Sequence, residues 1–227
     1  MTTENTGTNG NSGSGLSGNE AVARAEEQAK QTSGRNLPTL GDLPVAEDTA
    51  NLREGPNLHD GLLALLPLVG VWRGEGHASP VDGGDEYAFG QQLVFAHDGE
   101  NYLSYSSRIW RLDDNGEATG QDVRETGFVR ISEKDDIEFL TVHSTGVVEV
   151  MYGRPRTERA WELESASTLA TETGPADFGP GKRLYGLMPN NNLGWVDERL
   201  AGGAGGAGGA GGELTPWMSA ELTRVIG

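Results

Sequence analysis

The chain has 227 residues, no cysteine and a formal net charge of −17, which excludes a disulfide framework and any thiolate metal centre. Its acidity opposes association with nucleic acid phosphates or anionic lipid surfaces. No apolar run approaches the ~18 residues of a membrane span, and the N-terminus has neither the basic start nor the apolar core of a signal peptide, so a cytoplasmic location is expected.

Residues 1–18 are mostly Thr, Asn, Gly and Ser, with too little apolar surface to offset the entropy of ordering them, and are expected to be disordered. In Asn19–Gln31, Ala and Glu favour a helix, Val22, Ala25 and Ala29 share one side, and Glu26 stands four before Lys30. Residues 1–50 are therefore expected to form a disordered to weakly helical extension, followed by one domain over 51–227. In "GPNLHDGLLALLPLVG", Asn57 is suited to cap a helix whose Leu58, Leu62, Leu65 and Leu66 recur at helical spacing and which Pro67 ends. That helix should plug or cover something apolar.

Beyond Pro67 the apolar period becomes two, interrupted by turn sequences such as "HDGEN" (97–101) and "DDNGEATG" (113–120). Strands are expected near 68–78, 87–96, 102–112, 122–131, 137–143, 147–152, 158–164, 168–173, 182–188, 193–200 and 214–225. Consecutive strands with short connections and no intervening helix predict an all-β fold, a roughly ten-stranded antiparallel up-and-down barrel preceded by a short helix. The stretch "AGGAGGAGGAGG" (201–212) is expected to be an expanded, flexible hairpin loop before the last strand.

No metalloprotease, nucleophile-elbow or P-loop signature occurs, and no catalytic residue is assigned. His59, His77, His97 and His143 are scattered over separate segments, so spacing implies no metal site. Asp113–Asp114 and Asp135–Asp136 fall in turns, where acidic residues are common. The informative stretch is "LVGVWRGEGHA". On a strand, Gly70, Trp72, Gly74 and Gly76 share one face, and Val71, Arg73, Glu75 and His77 the other, which must be outside. The inner face, one large aromatic among three glycines, either leaves room for a planar ligand near the backbone or permits strong coiling and tight packing of the Leu58–Leu66 helix.

These residues resemble the nitrobindin family of haem-binding, fatty-acid-binding-protein-like barrels. Its GxWxGxG hallmark stands here as Gly70-Val71-Trp72-Arg73-Gly74-Glu75-Gly76, behind "LLPLV" at 65–69. "FAHDG" (95–99), "RETGFVRI" (124–131), "HSTGVVEV" (143–150) and Met218-Ser219-Ala220-Glu221-Leu222 extend the likeness from about Leu52 to Gly227. The resemblance implies a ten-stranded barrel holding ferric haem b in a surface cleft, reactive toward nitric oxide and peroxynitrite. Its iron would be held by a histidine of the last strand, just before the segment matching Met218.

In this chain that position is Trp217, and no histidine follows His143. An indole nitrogen is a donor only and cannot replace imidazole on iron. The loop beside the haem reads "HASPVDGGDEY", with Pro80 or Val81 near a threonine of the family, and a family pocket lysine has no counterpart in "TETGPADFGPG". The leading expectation is therefore a member without the axial histidine and without haem, binding a small apolar ligand or having another role. One alternative keeps haem b and peroxynitrite isomerase activity through another ligand, His143 or His77. A second is an interaction protein acting through its acidic surface. Strict alternation puts Leu214, Met218, Ala220 and Leu222 on the apolar face and Trp217 opposite, unless Pro216 introduces a bulge.

Overall fold

The computed structural model describes residues 17–32, 44–80, 83–175, 178–201 and 213–227, in one unit ending at Pro44 and a second running from Val45 to Gly227. In the first unit, helix α1 spans Gly18–Thr32. A capping box starts it: the Ser17 hydroxyl accepts from Glu20 N at 3.4 Å, while Glu20 Oε2 accepts from Ser17 N at 2.9 Å. Its described side chains are exposed, as the thin apolar face requires. Most of the tail expected to be disordered, residues 1–16, and the 202–212 part of the glycine-rich loop lie outside the described residues.

The second unit is a closed antiparallel barrel in which every strand pairs with its neighbours in sequence and the first pairs with the last. Its strands are β1 (Gly70–Ala78), β2 (Tyr87–Ala96), β3 (Leu103–Leu112), β4 (Ala118–Ile131), β5 (Ile137–His143), β6 (Val147–Thr157), β7 (Ala160–Ala170), β8 (Phe178–Leu187), β9 (Leu193–Ala201) and β10 (Leu214–Ile226). Closure is made by β1 and β10, from Trp72 opposite Arg224 to Ala78 opposite Met218, and it leaves no edge for another chain to extend. The segment predicted as two strands near 158–164 and 168–173 is one strand, β7. Between the two ranges lies a bulge, with Ser167 opposite Val150 and Ser165 opposite Met151, and the Ser165 hydroxyl accepts from Gly181 N at 2.7 Å.

One end of the barrel is stoppered by residues 60–68. The stopper is a 3-10 helix, Asp60–Leu68, rather than the predicted α-helix. Its three-residue turn aligns Leu62, Leu65 and Leu68, all buried, and leaves Leu66 on the outside. The cap is His59, whose Nδ1 accepts from Gly61 N at 3.0 Å, and Pro67 lies inside the helix instead of ending it. The helix is pinned from the barrel wall: Trp161 Nε1 donates to Ala64 O at 2.9 Å, Trp72 Nε1 to Leu68 O at 2.8 Å, and Arg224 to Pro67 O at 2.6 Å. Phe95, Val129, Ile137 and Phe139 pack around Leu65 and Leu68, so the apolar core fills this end.

Strand β1 carries its charged face outward, with Arg73, Glu75 and His77 exposed and Trp72 buried. Its glycines serve strand packing. A Cβ at Gly74 would lie 2.1 Å from Glu221 O, and one at Gly76 would lie 2.2 Å from Ser219 O and 2.5 Å from the Phe89 ring. The absent side chains thus let β10 and Phe89 press against β1. Among the described residues no helix is long and apolar enough to cross a membrane.

A cleft with a charged floor

The barrel end away from the 3-10 helix opens into a cleft of about 480 Å³. The starts of β2, β4, β8 and β10 and the ends of β3 and β5 supply its wall, with the loops around Pro80, Asp85 and Pro175 at the rim. Antiparallel order explains why these positions converge, since alternate strands begin and end at the same end of an up-and-down barrel.

The wall is aromatic. Trp217 meets Phe178 edge-to-face, their centroids 6.1 Å apart, and Phe178 meets the His143 ring in the same manner at 5.2 Å. Trp217 reaches this wall because β10 is bulged against β9: Pro216 pairs with Glu198 and Met218 with Asp197, leaving Trp217 as the extra residue. Both Trp217 and Met218 therefore line the cleft, which strict alternation forbids. At the mouth the Arg111 guanidinium stacks on Tyr87 at 3.9 Å and lies 3.8 Å from Asp122 Oδ2.

The floor is a buried charge network that sequence reasoning missed. Glu125 accepts from Arg183 Nη1 and Nη2 at 3.0 and 3.1 Å and from Tyr105 Oη at 2.5 Å. Arg183 also donates to Asp197, through Nε at 2.8 Å. Next to it, Arg199 donates to Asp197 at 2.6 and 2.8 Å and to Glu149 at 2.5 and 3.0 Å. Trp195 Nε1 donates to Gln91 Oε1 at 2.7 Å, and the Gln91 amide passes the chain on to Ser107 at 2.9 Å.

Burial opposes the charge of Glu125, but the Arg183 guanidinium and the hydrogen bonds from Arg183 and Tyr105 outweigh it and hold the carboxyl below its ordinary range. The same contest, decided by Arg199, lowers Glu149. For His143 burial wins over the nearby Glu125 carboxylate and lowers its pKa, so the ring stays neutral. Its Nδ1 lies 3.6 Å from Glu125 Oε1 and its Nε2 3.4 Å from Thr141 Oγ1.

Of the residues that the sequence singles out, Trp217, His143 and Pro80 line this cleft, whereas Gly70, Trp72, Gly74 and Gly76 do not. Val81 lies outside the described residues. His77 is exposed on the outer face of β1, His59 caps the 3-10 helix, and His97 is buried beside the Thr49 bridge beyond β2. Asp113 accepts from Asn115 N and Glu117 N in its turn, and Asp136 binds Arg154 at 2.6 Å. A signal for the network did exist in strand phase: Asp197 and Arg199 share parity with the buried Leu193 and Trp195, and Glu149 shares it with Val147 and Met151.

The chain is similar to several known proteins. A family model described as "THAP4-like, heme-binding beta-barrel domain" matches residues 61–224. A protein of Corynebacterium diphtheriae called "Ferric nitrobindin-like protein" is 67% identical over 212 residues, spanning 93% of this chain and 90% of that one. "Peroxynitrite isomerase 2" of Mycolicibacterium paratuberculosis is 49% identical, spanning 95% of this chain and 90% of its own. The crystal structure of Rv2717c from M. tuberculosis superposes with a TM-score of 0.60 at 25% identity, covering 74% of this chain and 99% of that one.

Proposed function

Because the chain belongs to the nitrobindin family of haem-binding β-barrels, we propose that its cleft binds a small apolar ligand other than haem, on a barrel that has lost the family's iron ligation. The observation that carries this reading is Trp217. The bulge in β10 aims the indole into the cleft, at the position where the resemblance would put the axial histidine, and an indole offers iron no lone pair.

The remaining donors in the cleft do not fit ferric haem. His143 is the histidine among its lining residues, but its side chain is 2% exposed and its two ring nitrogens face Glu125 and Thr141. An axial imidazole instead needs one nitrogen aimed at the metal. The Tyr105 hydroxyl is committed to Glu125. What the wall offers is aromatic surface for an apolar ring or chain, the usual lining of small-molecule pockets.

Haemin titration of the purified protein tests the reading. The expected spectrum is that of haemin held loosely on an apolar surface; a sharp, saturable one-to-one Soret shift overturns it. A second reading, haem b with peroxynitrite isomerase activity, draws support from the presence of His143 in the cleft and from the name of the 49% identical relative. It requires that His143→Ala abolish such a Soret shift.

A further inference from the structure

We infer that the cleft selects ligands whose polar end is a positively charged hydrogen-bond donor, such as an arylalkylamine, over those ending in a carboxylate. This rests on the proposal that the cleft takes a small apolar ligand, and it adds the charge of that ligand's polar end.

The argument starts from which donors and acceptors remain free. Arg183, the cation of the floor, is engaged at all three nitrogens: Nε donates to Asp197, Nη1 to Glu125 and Tyr105, and Nη2 to Glu125, with Asp197 Oδ2 also 2.6 Å from Nη2. Arg199 is spent in the same way on Asp197, Glu149 and Gly179 O. A ligand carboxylate entering the cleft would thus find no unengaged guanidinium in the floor. At the mouth, Arg111 already faces Tyr87 and Asp122.

Acceptors, by contrast, are left over. Asp122 Oδ2 is buried and accepts no hydrogen bond from the described residues, with Arg111 Nε standing off at 3.8 Å. Glu125 Oε1 takes one bond, from Arg183, with His143 Nδ1 standing off at 3.6 Å. The charge is unbalanced in the same direction. Glu125, Glu149 and Asp197 face only Arg183 and Arg199 in the buried network, and neutral His143 adds nothing to the positive side. Asp85 and Asp122 outnumber Arg111 among the groups at the mouth. A cation would meet this excess negative charge at low effective dielectric, beside the aromatic wall of Trp217 and Phe178, and an anion would meet the reverse.

Three probes of one ring system test this: 2-naphthylmethylamine, 2-naphthylmethanol and 2-naphthoate, titrated calorimetrically into the full chain at pH 7 and low salt. The amine should bind tightest and the carboxylate weakest, with at least a tenfold span that narrows at high salt. Glu125→Gln and Asp122→Asn should each reduce the amine's lead over the alcohol severalfold. The second variant guards against misfolding of the first, because Asp122 meets the exposed Arg111 and Tyr87 at the mouth and takes no part in the buried network. Any order in which the amine is not first, or a lead that both folded variants preserve, overturns the inference and leaves the apolar-ligand reading standing. Failure of all three probes to bind overturns both.

Discussion

Arg199→Met tests whether the charged floor holds the barrel together. Arg199 is fully buried and joins Asp197 and Glu149 through four hydrogen bonds of 2.5–3.0 Å. Methionine fills much of the same space but leaves both carboxylates short of their cation. Asp197 keeps Arg183, while Glu149 keeps only the Ser165 and Thr168 hydroxyls. Removing one partner of a buried ion pair costs about 3–5 kcal/mol, because the remaining charge is neither solvated nor neutralised. For a domain of this size that corresponds to a fall in Tm of roughly 6–20 °C. Thermal and urea unfolding followed by circular dichroism provide the assay, and raising the pH should deepen the loss by keeping Glu149 ionised. A loss below ~1 kcal/mol would refute the reasoning, since it would mean that the carboxylates are re-solvated at little cost.

Trp217→His should acquire saturable haemin binding that neither the parent nor Trp217→Ala shows, as read from the Soret band; equal spectra for the two variants would mean that more than the ligand has been lost. Gly76→Ala should destabilise the barrel by about 1–3 kcal/mol, because its methyl would meet Ser219 O and the Phe89 ring, and chemical denaturation measures this directly. On acidification, the pKa of His143 is lowered by folding, so its contribution to stability is complete above about pH 6.5 and declines as pH falls below that value. The depressed carboxyls of Glu125 and Glu149 contribute stability that is present above about pH 4.3 and is lost at more acid pH. A His143→Gln variant should therefore show a flatter stability profile between pH 7 and 5, and an unchanged profile would contradict the assignment.

The sequence alone determined the barrel and its family. Period-two alternation with frequent turns leaves an antiparallel sheet few alternatives to closure, and Leu62 and Leu65 marked a plug whose register only the 3-10 turn decided. The place of Trp217 in the cleft was half legible. Its place before Met218 could be read from the chain, but its direction depends on a bulge that appears only when β10 is paired with β9. The floor of the cleft was hardest to read. Arg183, Glu125, Asp197, Arg199 and Glu149 resemble solvated strand residues, because a charge tolerates burial only with its partners in place. Those partners stand 58 residues apart for Arg183 and Glu125 and 50 for Arg199 and Glu149. Strand phase marks Asp197, Arg199 and Glu149 as inward-facing but does not say which partner each one meets; closure of the barrel decides that, by bringing β4, β6, β8 and β9 around one interior.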